Sequence, residues 1–277
     1  MRVTICGSRG SIPTPGADFL GVGGDTPCIA VGHGDGPPCL LLDAGSGIRR
    51  VTHLLGGGAF RGSLLLSQLH WDHTQGLPFF AGGDRDDARV RLSIPAQDEA
   101  PLTVLERTMS PPHFPITPLD LRGEWTFEDY GEGVREVEGF EIRAREVPHG
   151  GGRTMGIRVG DGHSAFAYLP DHAPHALGGG DDGLGLLHEA ATELVEGVDL
   201  LVHDAQYTAA ELPRRADYGH SAAEYAHRLA AHCGVGRLLL FHHDPSRTDT
   251  EVAAIVASLQ GNGVRVEAAT DGLVLEL

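Results

Sequence analysis

The sequence predicts an α/β fold in which helices cover the outer faces of sheets. Three observations support this prediction. Short apolar strands recur through the first half of the chain, and each is closed by Gly, Ser or Asp. The second half alternates apolar strands with helical patterns. Side chains that can bind metals follow several of these strands directly.

The first half is predicted to contain apolar strands separated by Gly and Pro turns. These strands are Arg2–Cys6, Cys28–Val31, Cys39–Asp43 and Ser63–Leu66. A short helix is expected at Ile48–Leu55. The section Leu77–Glu124 is less regular, and within it Leu102–Met109 has a helical pattern.

The rest of the chain continues with strands and then alternates helix with strand. The predicted strands are Phe140–Val147, Thr154–Val159, Ser164–Tyr168, Val198–Val202, Arg237–Phe241, Val264–Ala268 and Leu273–Leu277. The predicted helices are Leu187–Leu194, Ser221–His232 and Thr250–Leu259. Ser221 and Glu224 have the spacing of a capping box, so we expect Ser221 to cap the second of these helices.

The composition is that of an ordinary globular protein, with 41% hydrophobic and 21% charged residues. We predict a single domain over residues 1–277, since no repeat divides the chain. No apolar stretch approaches the ~20 residues that span a bilayer, and the segment from Met1 to Ala30 lacks a signal-peptide pattern. The four cysteines are scattered, which favours free thiols. We therefore expect a cytoplasmic protein without a membrane partner.

The formal net charge of −17 bears on the partners of the protein. A protein that grips a long nucleic acid normally presents a basic face, so this charge predicts no long nucleic acid as a partner. A small anionic substrate is compatible with it, since surface charges are screened beyond ~8 Å at physiological salt. All 21 basic residues are arginine, and the absence of lysine excludes Schiff-base chemistry.

Three residues that can bind metals follow one predicted strand. His70, Asp72 and His73 come shortly after Leu66, where the strand ends. A tight turn after a rigid strand can direct such side chains to one point. Imidazole and carboxylate together suit zinc, iron or manganese, whereas calcium prefers oxygen ligands alone. The alternative is a solvated loop, because His and Asp are common in turns.

The same pattern recurs at other strand ends, with metal-binding residue types at His149, Asp171, His242 and His243. Ligand-binding loops gather at the ends of strands in α/β sheets. A single histidine in such a position is more often a turn residue. Repetition at several strand ends favours a metal site.

Several short motifs together resemble one known family. They are Gly7-Ser8-Arg9-Gly10-Ser11, Leu41-Leu42-Asp43-Ala44-Gly45, Gln68-Leu69-His70-Trp71-Asp72-His73, Leu77-Pro78-Phe79-Phe80, Tyr168-Leu169-Pro170-Asp171, His203-Asp204-Ala205-Gln206-Tyr207, Gly219-His220-Ser221 and Leu240-Phe241-His242-His243-Asp244-Pro245. The sequence resembles the metallo-β-lactamase superfamily, and within it the branch of ribonuclease Z-like and phosphodiesterase-like hydrolases. The resemblance runs over nearly the whole chain. It implies a four-layer αββα sandwich with metals at the seam between two sheets.

The resemblance also implies which residues bind which metal. The ligands of the first metal would be Gln68, His70 and His149, those of the second would be Asp72, His73 and His242, and Asp171 would bridge both. His243 is the alternative to His242. The resemblance implies one or two Zn²⁺ ions per chain, with Mn²⁺ or Fe²⁺ as alternatives. The nucleophile would be a metal-bound hydroxide, because two such ions lower the pKa of a bound water to ~7.

Gln68 departs from the family pattern, in which the motif begins with a histidine. An amide oxygen is a weaker zinc ligand than imidazole, so the first metal should bind less tightly or be absent. A single metal held by Asp72, His73 and His242 is the alternative to the dinuclear site.

The resemblance implies hydrolysis of a small phosphodiester such as a cyclic nucleotide, with Asp72 and His220 as catalytic residues. His220 resembles the histidine that ribonuclease Z-like enzymes use near the leaving group, where it would act as general acid; the alternative is a turn residue before a helix. Two other functions stay open: hydrolysis of thioesters, lactones or other carboxylic esters, and a metal-binding accessory or sensor role with little turnover. A homodimer is one option, although the sequence shows no interface pattern.

Overall fold

The computed structural model of the chain describes residues 1–261 and 263–277, which form helices and strands as follows. The α-helices are α1 (Ile48–Leu54), α2 (Trp71–Thr74), α3 (Pro101–Glu106), α4 (Glu189–Val195), α5 (Ala223–His232) and α6 (Asp249–Ser258). The strands are β1 (Arg2–Gly7), β2 (Cys28–Gly32), β3 (Leu40–Leu42), β4 (Arg61–Leu65), β5 (Arg89–Pro95), β6 (Glu124–Tyr130), β7 (Gly133–Val137), β8 (Phe140–Glu146), β9 (Met155–Gly160), β10 (Ala165–Leu169), β11 (Leu200–Asp204), β12 (Arg237–Phe241), β13 (Arg265–Ala268) and β14 (Val274–Glu276).

The strands form two mixed sheets. The first has the order β14-β1-β2-β3-β4-β5-β6, and the second has the order β13-β12-β11-β10-β9-β8-β7. In the first sheet β3, β4, β5 and β6 run parallel to one another. In the second sheet β10, β11, β12 and β13 do so. Each sheet therefore gathers the carboxyl ends of several strands along one edge, where loops can carry functional residues.

Both faces of the central strands are buried, and their successive side chains enter two different cores. In β10, Phe166 and Tyr168 lie in the core between the sheets, whereas Ala167 and Leu169 pack in a second core with residues of α4 and α5. Helix α1 packs in a third core, on the outer face of the first sheet. The layers follow the order helix, sheet, sheet, helix, which confirms the predicted αββα sandwich.

The structure contains three strands that the sequence patterns do not predict, namely β5, β6 and β7. β5 and β6 alternate apolar with charged or polar residues. β6 and β7 are the edge strands of their sheets. In β6, for example, Trp125 and Phe127 are half-buried while Glu124, Thr126 and Glu128 are exposed. Edge strands expose one side to water and so lack a continuous apolar run. The helix predicted at Leu102–Met109 is also shorter in the structure, where it is α3.

Ser221 does not cap α5, contrary to the prediction. Ala222 is the N-cap residue and makes no side-chain capping bond. The Ser221 hydroxyl instead donates to the carbonyl of His172 at 2.6 Å. Glu224 accepts a hydrogen bond from the backbone N–H of Ala209 at 2.8 Å, which removes the second half of the expected capping box. Long-range partners have here replaced a local capping motif.

The four cysteines are unpaired, which confirms the predicted free thiols. Cys6 and Cys28 are buried, and Cys39 and Cys233 are half-buried. Within residues 1–261 and 263–277, no helix is long and apolar enough to cross a membrane.

Asp271 lies in the turn between β13 and β14 and joins that turn to two loops. It accepts a hydrogen bond from the backbone N–H of Asp25 at 3.1 Å, and Arg50 lies 3.3 Å from the same oxygen. Burial raises the pKa of Asp271 from 3.8 to about 6. Since the folded chain then holds this proton more tightly than the unfolded chain does, ionisation of Asp271 reduces stability as the pH rises from about 4 to about 6.

The substitution Asp271→Asn removes this ionisation at nearly constant volume. We expect the free energy of unfolding of the variant, relative to wild type, to be up to about 2 kcal/mol more favourable at pH 7.5 than at pH 4.5. Urea unfolding at the two pH values measures this difference, with the exposed Asp86→Asn as a control. An equal difference at both pH values would show that Asp271 does not titrate in this range.

Candidate metal centre

The two sheets bring the predicted metal-binding side chains to one edge of the sandwich. These side chains follow β4 (His70, Asp72, His73), β8 (His149), β10 (Asp171) and β12 (His242). β4 belongs to the first sheet and the other three strands belong to the second. The seam between the sheets is therefore where residues far apart in sequence meet.

Four of these side chains surround one point, and we call them the Asp72 site: Asp72, His73, Asp171 and His242. His242 Nε2 lies 3.0 Å from Asp72 Oδ2 and 3.4 Å from Asp171 Oδ1. His73 Nε2 lies 2.7 Å from Asp171 Oδ2 and 3.5 Å from Asp72 Oδ2. Ligand atoms around a tetrahedral zinc ion are about 3.3 Å apart, given zinc–ligand distances of about 2.0–2.1 Å. The donor set and its spacing fit a transition-metal cation.

Two atoms of the Asp72 site are buried without a hydrogen bond. His73 Nε2 and Asp171 Oδ1 have no hydrogen-bond partner among the described residues. Buried polar atoms are nearly always paired, so these two atoms fit a site that binds a cation. Burial favours the neutral form of Asp72 and Asp171, but the neighbouring His73 and His242 outweigh it and hold the pKa of both carboxyls below its ordinary value. Both are therefore anionic at neutral pH, the form that binds cations.

A second cluster adjoins the first, and we call it the His70 site: His70, His149 and Asp171. His70 Nδ1 lies 3.2 Å from His149 Nε2, and His149 Nε2 lies 4.0 Å from Asp171 Oδ1. Burial and the nearby His149 lower the pKa of His70. A neutral imidazole is the form that binds metals. Asp171 belongs to both sites, in the arrangement that the resemblance implies.

Gln68 is buried beside the His70 site and contacts the shared carboxylate. Its amide nitrogen donates a hydrogen bond to Asp171 Oδ2 at 2.5 Å. The donor end of the amide thus faces Asp171. The structure places Gln68 in the cluster, but as a hydrogen-bond donor rather than with its oxygen directed at the shared carboxylate.

His242 and His243 point in different directions. The ring of His243 contacts the Ala269 carbonyl at 3.1 Å, away from the cluster. His242 has a φ of 56°, which turns the chain sharply after β12 and directs its ring to the Asp72 site. For a residue other than Gly, Asn or Asp, this left-handed conformation costs about 1 kcal/mol of free energy. Gly10 lies against the ring, and a Cβ atom there would be 2.6 Å from His242 Nδ1.

A hydrogen bond orients each of three histidine rings so that Nδ1–H is the donor and Nε2 is left for a metal. The pairs are His73 with the Asp43 carboxylate (2.8 Å), His149 with the Gly219 carbonyl (2.6 Å) and His242 with Gln206 Oε1 (3.0 Å). Sequence reasoning misses Gly219 and Gln206 as partners of these rings. Both lie in motifs of the family resemblance, yet nothing in their residue types indicates the contact.

Asp43 is a fully buried carboxylate whose partners come from both sheets. Its oxygens accept hydrogen bonds from the Ser67 backbone N–H at 2.6 Å, the Ser67 hydroxyl at 2.8 Å and the Tyr168 hydroxyl at 2.7 Å. These bonds compensate the buried charge and fix the carboxylate against His73.

His220 lies next to the metal-binding side chains and is held by two carboxylates. Its Nδ1 is 3.0 Å from Asp204 Oδ2 and 3.2 Å from Asp171 Oδ1, and its ring stacks on His242 with 4.8 Å between centroids. Burial opposes a charge on the ring, but Asp204 and Asp171 raise the pKa of His220 to about 10. His220 is thus cationic at neutral pH and can donate a proton. Asp204 holds this ring in place.

Residues 40–243 match the model of the beta-lactamase superfamily domain. The chain belongs to this superfamily. Ribonuclease Z of Natronomonas pharaonis is 26% identical over 301 residues, covering 91% of both proteins. Human tRNase Z, short form, has the same fold, with a TM-score of 0.69 and 18% identity over 100% of this chain and 99% of its own. Zinc-bound PqqB from Methylobacterium extorquens superimposes with a TM-score of 0.68 and 18% identity over 100% of both chains. The family assignment makes the protein a metal-dependent hydrolase.

The prediction that long nucleic acids are excluded as partners is wrong. A relative that spans nearly the whole chain is named a ribonuclease, and a protein of the same fold is named for tRNA. That exclusion rested on the formal net charge of −17. That charge is a sum over the whole surface, whereas each charge acts over only ~8 Å in physiological salt. The local charge around a site therefore decides what it binds.

The hydrogen bond between Asp43 and His73 gives a test of the Asp72 site. We expect Asp43→Asn to weaken zinc binding by about 10- to 100-fold, because the ring loses the anion that fixes its tautomer and orientation. Tyr168→Phe removes only one bond to Asp43 and should have a smaller effect. Competition with a chromogenic chelator measures the affinity. Asp199→Asn is the matched control, since Asp199 accepts a hydrogen bond from the N–H of Ala165 at 2.9 Å, at the first residue of β10. Equal affinities in all variants would contradict this role of Asp43.

Proposed function

We propose that the chain hydrolyses phosphodiester bonds of RNA, using zinc held at the Asp72 site and, more weakly, at the His70 site. The observation that carries this proposal is the buried cluster of imidazoles and carboxylates with a cationic histidine, His220, in contact with it. The name of the relative from Natronomonas pharaonis supports RNA as the substrate.

The residues assigned to zinc are those of the two sites. His70 and His149 would bind one ion, Asp72, His73 and His242 would bind the other, and Asp171 would bind both. Imidazole-rich sets with carboxylates suit zinc better than magnesium or calcium, and PqqB binds zinc in a protein of this fold. When bound, zinc polarises a phosphoryl oxygen and lowers the pKa of water to ~7.

The protein's own groups supply charge and a proton. The carboxylates Asp72 and Asp171 stay anionic and hold the cations close to the substrate. His220 is the proposed general acid: it would protonate the leaving oxygen of the phosphodiester, which is a poor leaving group as an alkoxide. Asp204 keeps His220 protonated and fixes its ring.

The leaving group provides the experiment for this proposal. A nitrophenolate leaves without a proton, whereas the sugar hydroxyl of RNA needs one. We expect the zinc-loaded protein to cleave both bis(p-nitrophenyl) phosphate and an RNA oligonucleotide. His220→Gln should lower the rate on RNA by about 10²-fold and change the nitrophenyl rate far less. Asp72→Asn should reduce both, and His53→Gln, at an exposed position on α1, should reduce neither.

A panel of thioesters, lactones and nitrophenyl carboxylic esters separates the alternative hydrolase from this proposal. Turnover of that panel without phosphodiester cleavage would contradict the proposal. If His220→Gln lowers the rates on RNA and on the nitrophenyl diester equally, phosphodiesterase activity is still supported. The role of His220 as general acid is then contradicted.

A further inference from the structure

A pocket of about 250 Å³ opens beside the metal centre, on the side of the His70 site. Gln68 and His70 form its wall toward the cluster. Its other walls come from α3 with the residues that follow it and from the glycine-rich loop between β8 and β9. A group that occupies this pocket would lie directly next to one bound at the metals.

Two arginines line the pocket: Arg107, which follows α3, and Arg153, which lies in the loop after β8. Their side chains are 60% and 43% exposed. Arg107 pairs with Glu99, while Arg153 pairs with Glu146 at 3.0 Å and donates to the Ala96 carbonyl at 2.9 Å. A guanidinium has five N–H donors, so both arginines keep donors after these contacts.

The lining of the pocket contrasts with the acidic surface of the protein. The chain carries a net charge of −17, yet none of the described residues that line this pocket is acidic. Besides the two arginines, Gln97 and Thr108 contribute polar side chains. Arginine is the side chain best matched to phosphate, which it can bind through two parallel N–H bonds. The local chemistry therefore favours an anion with several oxygens.

We propose that this pocket binds a second phosphate of the substrate, adjacent to the phosphodiester that is cleaved, with Arg107 and Arg153 as its donors. This inference rests on the proposed function. Each arginine is paired with a glutamate, yet each keeps N–H donors beside the metal centre, so an acidic protein can still hold a phosphate at this pocket. Arg107 and Arg153 are binding residues here and take no part in the chemical step.

Two matched substrates test the inference. One is the p-nitrophenyl ester of thymidine 5′-phosphate, and the other is the same ester with an added 3′-phosphate. We expect wild type to prefer the second. Arg107→Ala and Arg153→Ala should each lower kcat/KM for the second substrate about tenfold, the value of one charge-assisted hydrogen bond, and leave the first within about twofold. Arg89→Ala is the control, because Arg89 is an exposed arginine in an ion pair with Glu124 at 3.3 Å.

The outcomes separate this inference from the proposed function. Equal losses on both substrates, or no loss on either, would overturn the second-phosphate site. If neither these esters nor RNA is cleaved, the proposed function fails, and calorimetric binding of thymidine 3′,5′-bisphosphate to the zinc-loaded protein decides the inference. About tenfold weaker binding in Arg107→Ala and Arg153→Ala, but not in Arg89→Ala, would support the site, and unchanged binding would overturn it. A parallel loss on RNA would identify the polynucleotide as the source of the phosphate, and a loss confined to the nucleotide substrates would identify a small bisphosphate.

Discussion

A buried carboxylate needs partners that compensate its charge, and Asp171 obtains them from almost every loop of the metal centre. It is 1% exposed and lies at the end of β10. The groups within 4.0 Å of its oxygens are Gln68, His73, His149, His220 and His242. These residues follow different strands of both sheets, so the centre exists only when the two sheets pack together. The charge on Asp171 is the constraint that the rest of the site satisfies.

The sharing of Asp171 makes the two metal sites unequal. The Asp72 site has four side chains with donor atoms 2.7 to 3.5 Å apart, and their outer contacts come from buried groups such as Asp43. The His70 site has two imidazoles and the more distant shared carboxylate, at 4.0 Å from His149. Gln68 takes the position of a family histidine. Its amide N–H donates a hydrogen bond to Asp171, and the site lacks a third imidazole. We therefore expect zinc to bind tightly at the Asp72 site and more weakly at the His70 site.

The part of the site that lies in short local motifs can be predicted from sequence. His70, Asp72 and His73 are close in the chain, and His149, Asp171 and His242 each follow a recognisable apolar strand. Contacts between distant segments cannot be predicted in this way. The bonds of His149 to the Gly219 carbonyl and of His220 to Asp204 arise only when loops of different strands meet. The edge strands β6 and β7 cannot be predicted for a related reason, because strands exposed on one side lack a continuous apolar pattern. Net charge misleads because it averages over a surface on which charges act locally.

The metal content of each chain tests the two unequal metal sites most directly. It is measured by elemental mass spectrometry on protein purified without added metal or chelator. We expect one tightly held ion that survives dialysis and a second that binds only when zinc is supplied in excess. In a Gln68→His variant the second ion should also survive dialysis, because a third imidazole completes the His70 site. A wild-type chain that holds no metal, even after zinc, manganese and iron have been offered, would contradict the assignment of the Asp72 site as a metal centre.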